Sequence, residues 1–344
     1  MTNTVKIDDK TVFLLGAGFS NAVSARMPLV RCLAYRLLKT LPESFPEEHR
    51  PDPKRKGFDF EKWLSELADH FASRKDKELT PFELTIVELS RILLSSMSDS
   101  FRESHWTEEN DSNVWLHSLF EIWDKLQSPV LTFNYDTLIE HRYIAFKDRL
   151  NWRDHIPSQS FYPIPLSEMP MPDKAALQLH AEIPRFELFK LHGSLNWWRK
   201  FPHGAKQNEI YFWDRPLRSG PEERAATGLE PLKARSLPFL VPPLSKKTLF
   251  YEMPILEKTR EFAAKKLESA SSLIVMGYSF PKTDHAACEF LSQNLHTDAK
   301  VHVIDKSECV QKRAIEIFGE KRVTMHQFPE NESNTPIQHF IQSL

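Results

Sequence analysis

A chain of 344 residues with 41% hydrophobic and 27% charged residues has the composition of an ordinary soluble globular protein, long enough for one large domain or two modest ones. Its net charge of −2 excludes a bulk positive field that would draw it onto nucleic acid or an anionic membrane, so neither partner is expected. Cys32, Cys288 and Cys309 are too few and too far apart for a disulfide framework or a Cys-x-x-Cys metal site, residues 1–10 lack the apolar core of a signal peptide, and no apolar run reaches the length of a membrane helix; a cytoplasmic protein is expected.

In chain order, Val12 to Leu15 read as a short buried strand, followed at once by Gly16-Ala17-Gly18-Phe19-Ser20 and, within a few residues, by a helical pattern. Strand, glycine turn and helix are the parts with which α/β folds hold a phosphate: glycine lets the backbone approach the anion, and N–H groups at the helix start face it. A tight strand–helix turn with no ligand is the competing reading. As a dehydrogenase fingerprint the motif is incomplete, because Asn21 stands where the third glycine would fall.

Leu29, Leu33, Leu37 and Leu38 space as one helix face, ending before Pro42. Residues 42–57 read as a loop. Three further amphipathic helices follow, marked by Phe60, Trp63, Leu64 and Leu67, then Ile86, Leu89, Leu93 and Leu94, then Leu116, Leu119, Phe120 and Trp123. Residues 42–128 thus form a helical insertion whose aromatic positions read as core. Pro129 to Asn134 is the second strand, with a helix opening at Thr137. Residues 151–185 suit a long surface loop. Phe186 to Leu191 is a third strand, ending at His192-Gly193-Ser194.

Residues 195–250 are the least regular part. Trp197-Trp198 and Tyr211 to Asp214 read as small antiparallel strands, 215–236 as a polar loop, and the whole as an inserted lobe or lid. Then come a helix from Pro254 to Leu267, a strand from Ser272 to Met276 closed by Gly277-Tyr278-Ser279, and a helix near Asp284, taken as its N-cap. Val301 to Asp305 is the next strand, a helix starts near Cys309, Val323 to Phe328 is a last strand, and a C-terminal helix ends the chain. The expected fold is α/β: one domain over 1–344, a Rossmann-like doubly wound parallel sheet with the helical insertion and the small lobe.

In such sheets ligands bind beyond the carboxyl ends of the strands. Five predicted strand ends carry polar or glycine signatures: Gly16 to Ser20, Thr132 to Asp136, His192 to Ser194, Gly277 to Ser279, and Asp305. Two glycine turns on one edge suit a pyrophosphate, and an acid after the strand at 301–305 suits a pair of ribose hydroxyls. Singly, each residue has a structural reading. His192 could be a strand-end histidine, Asp136 a helix cap, Asn134 a turn residue and Asp305 a cap or surface acid. Their ordered arrival at strand ends favours a site.

Gly-Ala-Gly-x-Ser, Thr-x-Asn-x-Asp, Leu-His-Gly-Ser and Gly-x-Ser, in this order over roughly residues 11–306, resemble the motifs of the sirtuin superfamily. Asn134-Tyr135-Asp136 with Gly277-Tyr278-Ser279 and Pro281-x-x-Asp284 is similar to its bacterial defence branch. The resemblance implies NAD as substrate. Gly16, Ala17, Gly18 and Ser20 would hold its pyrophosphate, and Asp136 would recognise the nicotinamide carboxamide. Gly277 and Ser279 would line the phosphate and adenine side, and Asp305 would hold the adenosine ribose. His192 would be the general base, and Asn134 would order the water or ribose at the anomeric carbon.

Two departures bear on function. The Pro-Asp-Phe-Arg element that follows the first motif in deacylating sirtuins is absent, Asn21 to Pro28 standing there. The four-cysteine zinc module normally found between the His-Gly and Gly-x-Ser motifs has no counterpart, because no cysteine lies between 33 and 287; no zinc or other metal is expected. With no acyl-lysine groove evident, water is the default nucleophile. The expected activity is NAD hydrolysis to nicotinamide and ADP-ribose, by an NAD-depleting effector of bacterial antiphage defence. Such an effector is expected to be a homo-oligomer or to be gated by a partner such as a defence ATPase or translocase. Competing readings are an NAD-dependent deacylase or ADP-ribosyltransferase, and a non-catalytic module that binds NAD or ADP-ribose.

Overall fold

The structure is a computed structural model; it describes residues 5–51, 58–71, 79–103, 114–149, 158–168, 186–200, 210–213, 236–242, 252–326 and 335–344. Six strands form a parallel sheet: β1 (Thr11–Leu15), β2 (Pro129–Thr132), β4 (Glu187–Lys190), β8 (Ser272–Met276), β9 (Lys300–Ile304) and β10 (Val323–His326). Their spatial order is β10-β9-β8-β1-β2-β4. Counted among themselves this is the doubly wound order 3-2-1-4-5-6, which reverses direction between β1 and β8.

Why these segments are strands is visible in their sides. Every residue of β1, β2 and β8 is buried, as expected for strands covered on both faces. Alternate side chains enter two separate cores. Phe13, Leu15, Val130, Leu188, Ile274 and Met276 face α1 (Ala17–Val23), α2 (Val30–Thr40), α3 (Phe60–Phe71), α4 (Pro81–Glu103), α5 (Val114–Leu126), α6 (Leu138–Arg149) and the C-terminal α10 (Pro336–Gln342). Val12, Leu14, Leu131, Phe189, Leu273 and Val275 face α7 (Pro254–Glu268), α8 (His285–Asn294) and α9 (Glu308–Phe318).

The helical insertion therefore covers one face, and its aromatic positions are core, with Trp115, Phe120 and Trp123 at most 3% exposed. Each such side chain contributes on the order of 2–3 kcal/mol of burial. Local signals start two of the helices. Thr80 and Glu83 cap the first turn of α4 reciprocally, and Thr335 and Gln338 do the same for α10. Leu29 is the exception to its predicted face. It is the N-cap of α2 and 44% exposed, so only Leu33 and Leu37 of that stripe reach full burial.

A second sheet of order β3-β6-β5-β7 stands beside the first. It comprises β3 (Ser167–Glu168), β5 (Gly193–Lys200), β6 (Ile210–Phe212) and β7 (Ser236–Leu240). Trp197 pairs antiparallel with Phe212 and Trp198 with Tyr211, in line with the small antiparallel strands read there. The lobe is broader than 195–250, since β3 comes from the stretch predicted to be a surface loop. There, Phe161 and Tyr162 are buried, because their rings pack on Tyr143 and Trp197. The rest of that predicted loop, 151–157 and 169–185, lies outside the described residues, as do 52–57 and the polar loop 215–235. Ser236, placed at the end of that loop, begins β7. β4 and β5 run almost head to tail, so Leu191-His192 is the step from one sheet to the other.

Candidate active site

The reversal of strand order puts the glycine turn after β1 against the glycine turn after β8. Gly16 N–H donates to Met276 O (3.0 Å) and Gly18 N–H to Gly277 O (2.9 Å). The two turns touch backbone to backbone. A Cβ on Gly16 would lie 2.4 Å from Gly277 O, one on Gly18 2.8 Å from Gly277 Cα, and one on Gly277 2.2 Å from Phe19 N. Gly277 is also at φ +66°, where a side chain is strained. The glycines thus permit close packing at the switch point. Three N–H groups of the turn, Gly16, Gly18 and Phe19, are engaged within the protein, by Met276 O, Gly277 O and Gly16 O. Ala17 is half-buried at the same turn, where α1 begins immediately rather than a few residues on.

Beside this junction the end of β2 builds a buried polar network. Thr132 Oγ1 donates to Leu15 O (3.1 Å) and accepts from Asn134 N–H (3.0 Å), tying the loop after β2 to the end of β1. Asn134 Nδ2 donates to Gly16 O (2.8 Å) and to Ser20 Oγ (3.0 Å), and Ser20 Oγ donates to Asp136 Oδ2 (2.9 Å). Asp136 Oδ1 accepts from Leu138 N–H (3.2 Å), the first residue of α6, so Asp136 both braces the start of that helix and belongs to the network. All three side chains are buried.

A third strand supports this network from below. Lys190, the last residue of β4, is buried and donates from Nζ to the carbonyl oxygen of Asp136. Its counter-charge is Glu140, whose Oε1 lies 3.5 Å away and accepts from Tyr162 Oη (2.9 Å). Burial pushes the Glu140 carboxyl above its ordinary range, and the Lys190 ammonium opposes that rise. Asn196 Nδ2 and Tyr162 Oη are 2.8 Å apart, which extends the chain of polar contacts into the second sheet.

His192 sits where the chain steps between sheets. Its carbonyl accepts from Val241 N–H (2.8 Å), and its ring lies against Phe133 at 4.7 Å between centroids and more loosely against Tyr135 at 6.4 Å. Its Nε2 is 3.6 Å from Asp284 Oδ2, with both residues buried. Tyr278 Oη reaches the same carboxylate oxygen at 3.5 Å.

The structure therefore brings Gly16, Ala17, Gly18, Ser20, Asn134, Asp136, His192 and Gly277 to one edge of the sheet. Ser279 follows Gly277 at the surface, exposed. Asp305 follows β9, one strand farther out. Its Oδ1 accepts from Ser307 N–H (2.8 Å) at the start of α9, and burial raises its carboxyl above the usual range. Asp284 stands where the helix start is expected. It occupies the N-cap position of α8, but its side chain makes no capping bond; the carboxylate faces His192 instead. Lys190, Glu140, Tyr162 and Asn196 were not singled out by sequence reading. A lysine beside the apolar Leu188, Phe189 and Leu191 of the strand was the one local sign available. Among the described residues, no three His, Cys, Asp or Glu side chains group as metal ligands, and no helix is long and apolar enough to cross a membrane.

No protein-family model matches the chain, and no curated protein matches it. Solved structures similar in chain course include one from work on the mechanism and regulation of Sir2 enzymes (11% identity over 97% of this chain and 90% of that one, TM-score 0.40). Another comes from work on sirtuin substrate affinity (13% identity, 96% and 91%, TM-score 0.42), and a third is a Sir2–p53 peptide–NAD+ complex (14% identity, 96% and 90%, TM-score 0.38).

Proposed function

We propose that this protein binds NAD+ across the carboxyl edge at the β1–β8 switch point and hydrolyses it to nicotinamide and ADP-ribose. The observation that carries the reading is the convergence of three strand ends. Ser20, Asn134 and Asp136 form one buried hydrogen-bond network on the glycine turn, and the buried His192 lies just past the end of β4. The order of the four sequence motifs, which resembles that of sirtuins, supports the same choice of substrate.

In this reading Gly16 to Ser20 and Gly277 border the pyrophosphate, Asp136 binds the carboxamide, and Ser279 and Asp305 lie toward the adenosine. The glycosidic electron pair leaves with nicotinamide, which departs neutral, and an oxocarbenium-like ribose remains. Both hydrogens of Asn134 Nδ2 are committed to Gly16 O and Ser20 Oγ. Its Oδ1 is thus the group that can orient a water or a ribose hydroxyl. His192 takes the proton as the water oxygen bonds to the anomeric carbon. Water as acceptor follows from the missing deacylase elements. In a cell, NAD depletion in antiphage defence, gated by self-assembly or by a partner ATPase, is the setting the resemblance implies.

The test is NAD+ consumption by purified protein, products resolved by chromatography, beside His192→Ala and Asn134→Ala. Nicotinamide and ADP-ribose in equal amounts are expected from the wild type. The histidine variant should be slower by roughly 10²–10⁴-fold, with an unchanged melting profile. Equal turnover by all three proteins would sink the site.

A further inference from the structure

We infer that Asp284 is the positioning residue of His192: it holds the imidazole proton on Nε2 and so presents Nδ1 as the basic nitrogen. The inference rests on the reading of His192 as general base.

The backbone of Asp284 starts α8 in the ordinary way. Its N–H donates to Pro281 O (3.0 Å), and its carbonyl accepts from Cys288 N–H (3.1 Å). A capping aspartate would turn its carboxylate back onto the first helical N–H groups. Asp284 does not do so. Its Oδ2 stands 3.6 Å from His192 Nε2, and Tyr278 Oη approaches that same oxygen at 3.5 Å. Phe133 packs against both rings, 4.7 Å from His192 and 4.9 Å from Tyr278, and Asp284 is only 5% exposed.

A carboxylate removed from water demands donors or an opposite charge. Opposite Nε2, it favours the tautomer in which that nitrogen carries the hydrogen, and the lone pair then belongs to Nδ1. When Nδ1 takes a proton from the attacking water, the resulting imidazolium keeps its Nε2–H toward Asp284. The carboxylate stays ionised and stabilises the new charge. Neither partner could be matched to the other by local rules, since one ends a strand of the first half of the sheet and the other opens a helix of the second.

The experiment uses the full chain labelled with ¹⁵N-histidine, His192 being assigned by the signal lost in His192→Gln. With the imidazole neutral, the wild type should show the Nε2–H tautomer, and Asp284→Asn should move the population toward Nδ1–H. In parallel, Asp284→Asn should lower kcat for NAD+ by at least about 100-fold. KM should change by less than about threefold. Asp284→Glu, which keeps the carboxylate, should recover at least about tenfold of the loss. A wild-type Nδ1–H tautomer overturns the inference even if Asp284→Asn fails to fold, and so does a folded Asp284→Asn with wild-type kcat. A wild type that leaves NAD+ intact overturns the hydrolase reading instead, while the tautomer comparison still decides what Asp284 does.

Discussion

On the β1–β8 side of the carboxyl edge, backbone meets backbone; on the β2–β4 side, polar side chains make the contacts, to one another and to the backbone. In the first region the critical property is the lack of a Cβ at Gly16, Gly18 and Gly277, with carbonyl and N–H groups filling the space. In the second, Thr132, Asn134, Ser20, Asp136, Lys190 and Glu140 hold one another through hydrogen bonds and one buried charge pair. The difference teaches where change can be absorbed. Backbone contact leaves no room for any substituent, so that region is specified by sterics. The polar region is specified by complementarity, and a lost partner there can be compensated by a second change.

The largest effect expected from this comparison is at Gly277. Gly277→Ala places a methyl 2.2 Å from Phe19 N at φ +66°, and should cost at least about 3 kcal/mol in urea unfolding or abolish folding. Gly319→Ala is the control: φ is +86°, yet nothing lies within 4 Å of the added carbon. It should cost only about 1–2 kcal/mol of backbone strain. Equal losses at both positions would break the claim that close packing, rather than φ alone, sets the requirement at the switch point.

Next is Lys190. Lys190→Met leaves Glu140 buried without its counter-charge and should destabilise by about 3–5 kcal/mol. Lys190→Met with Glu140→Gln should recover most of that in the same denaturant titration, because the uncompensated charge is gone. Failure of the double variant to recover would place the polar region under the same steric rule as the glycine turns.

The smallest effect lies at the far edge of the sheet, where His302 on β9 and His326 on β10 face each other, Nδ1 to Nε2, at 3.1 Å. Burial and then the neighbouring imidazole pull the His302 pKa down to about 4 from 6.5. Between those values the unfolded chain binds more protons than the folded one. This contribution to stability is therefore complete above about pH 6.5, is lost as pH falls toward 4, and loses nothing further below. For a partly exposed pair the loss is about 1 kcal/mol. It should appear as a denaturant midpoint that falls between pH 7 and 4.5 in the wild type and falls less in His302→Phe. An identical fall in both proteins would assign the acid sensitivity to other groups.

What the sequence determined by itself is what its local patterns encode. Short apolar runs placed β1, β2, β8 and β9 within a residue or two, period-3.6 spacing found the helices though not the full length of α4, and the glycine, Asn-x-Asp, His-Gly and Gly-x-Ser stretches fell at strand ends as read. These signals are legible because burial of one face and the turn chemistry at its end act over a few residues. Tertiary structure alone decided that β8 lies beside β1, so that one glycine turn fills the other. It also decided that Lys190 supports the Asp136 loop, that Phe161 and Tyr162 are core, and that Asp284 faces a histidine instead of capping its helix. A local rule sees a carboxylate at a helix start and assigns the cap. Which donor a buried carboxylate actually serves depends on what the sheet order brings opposite it.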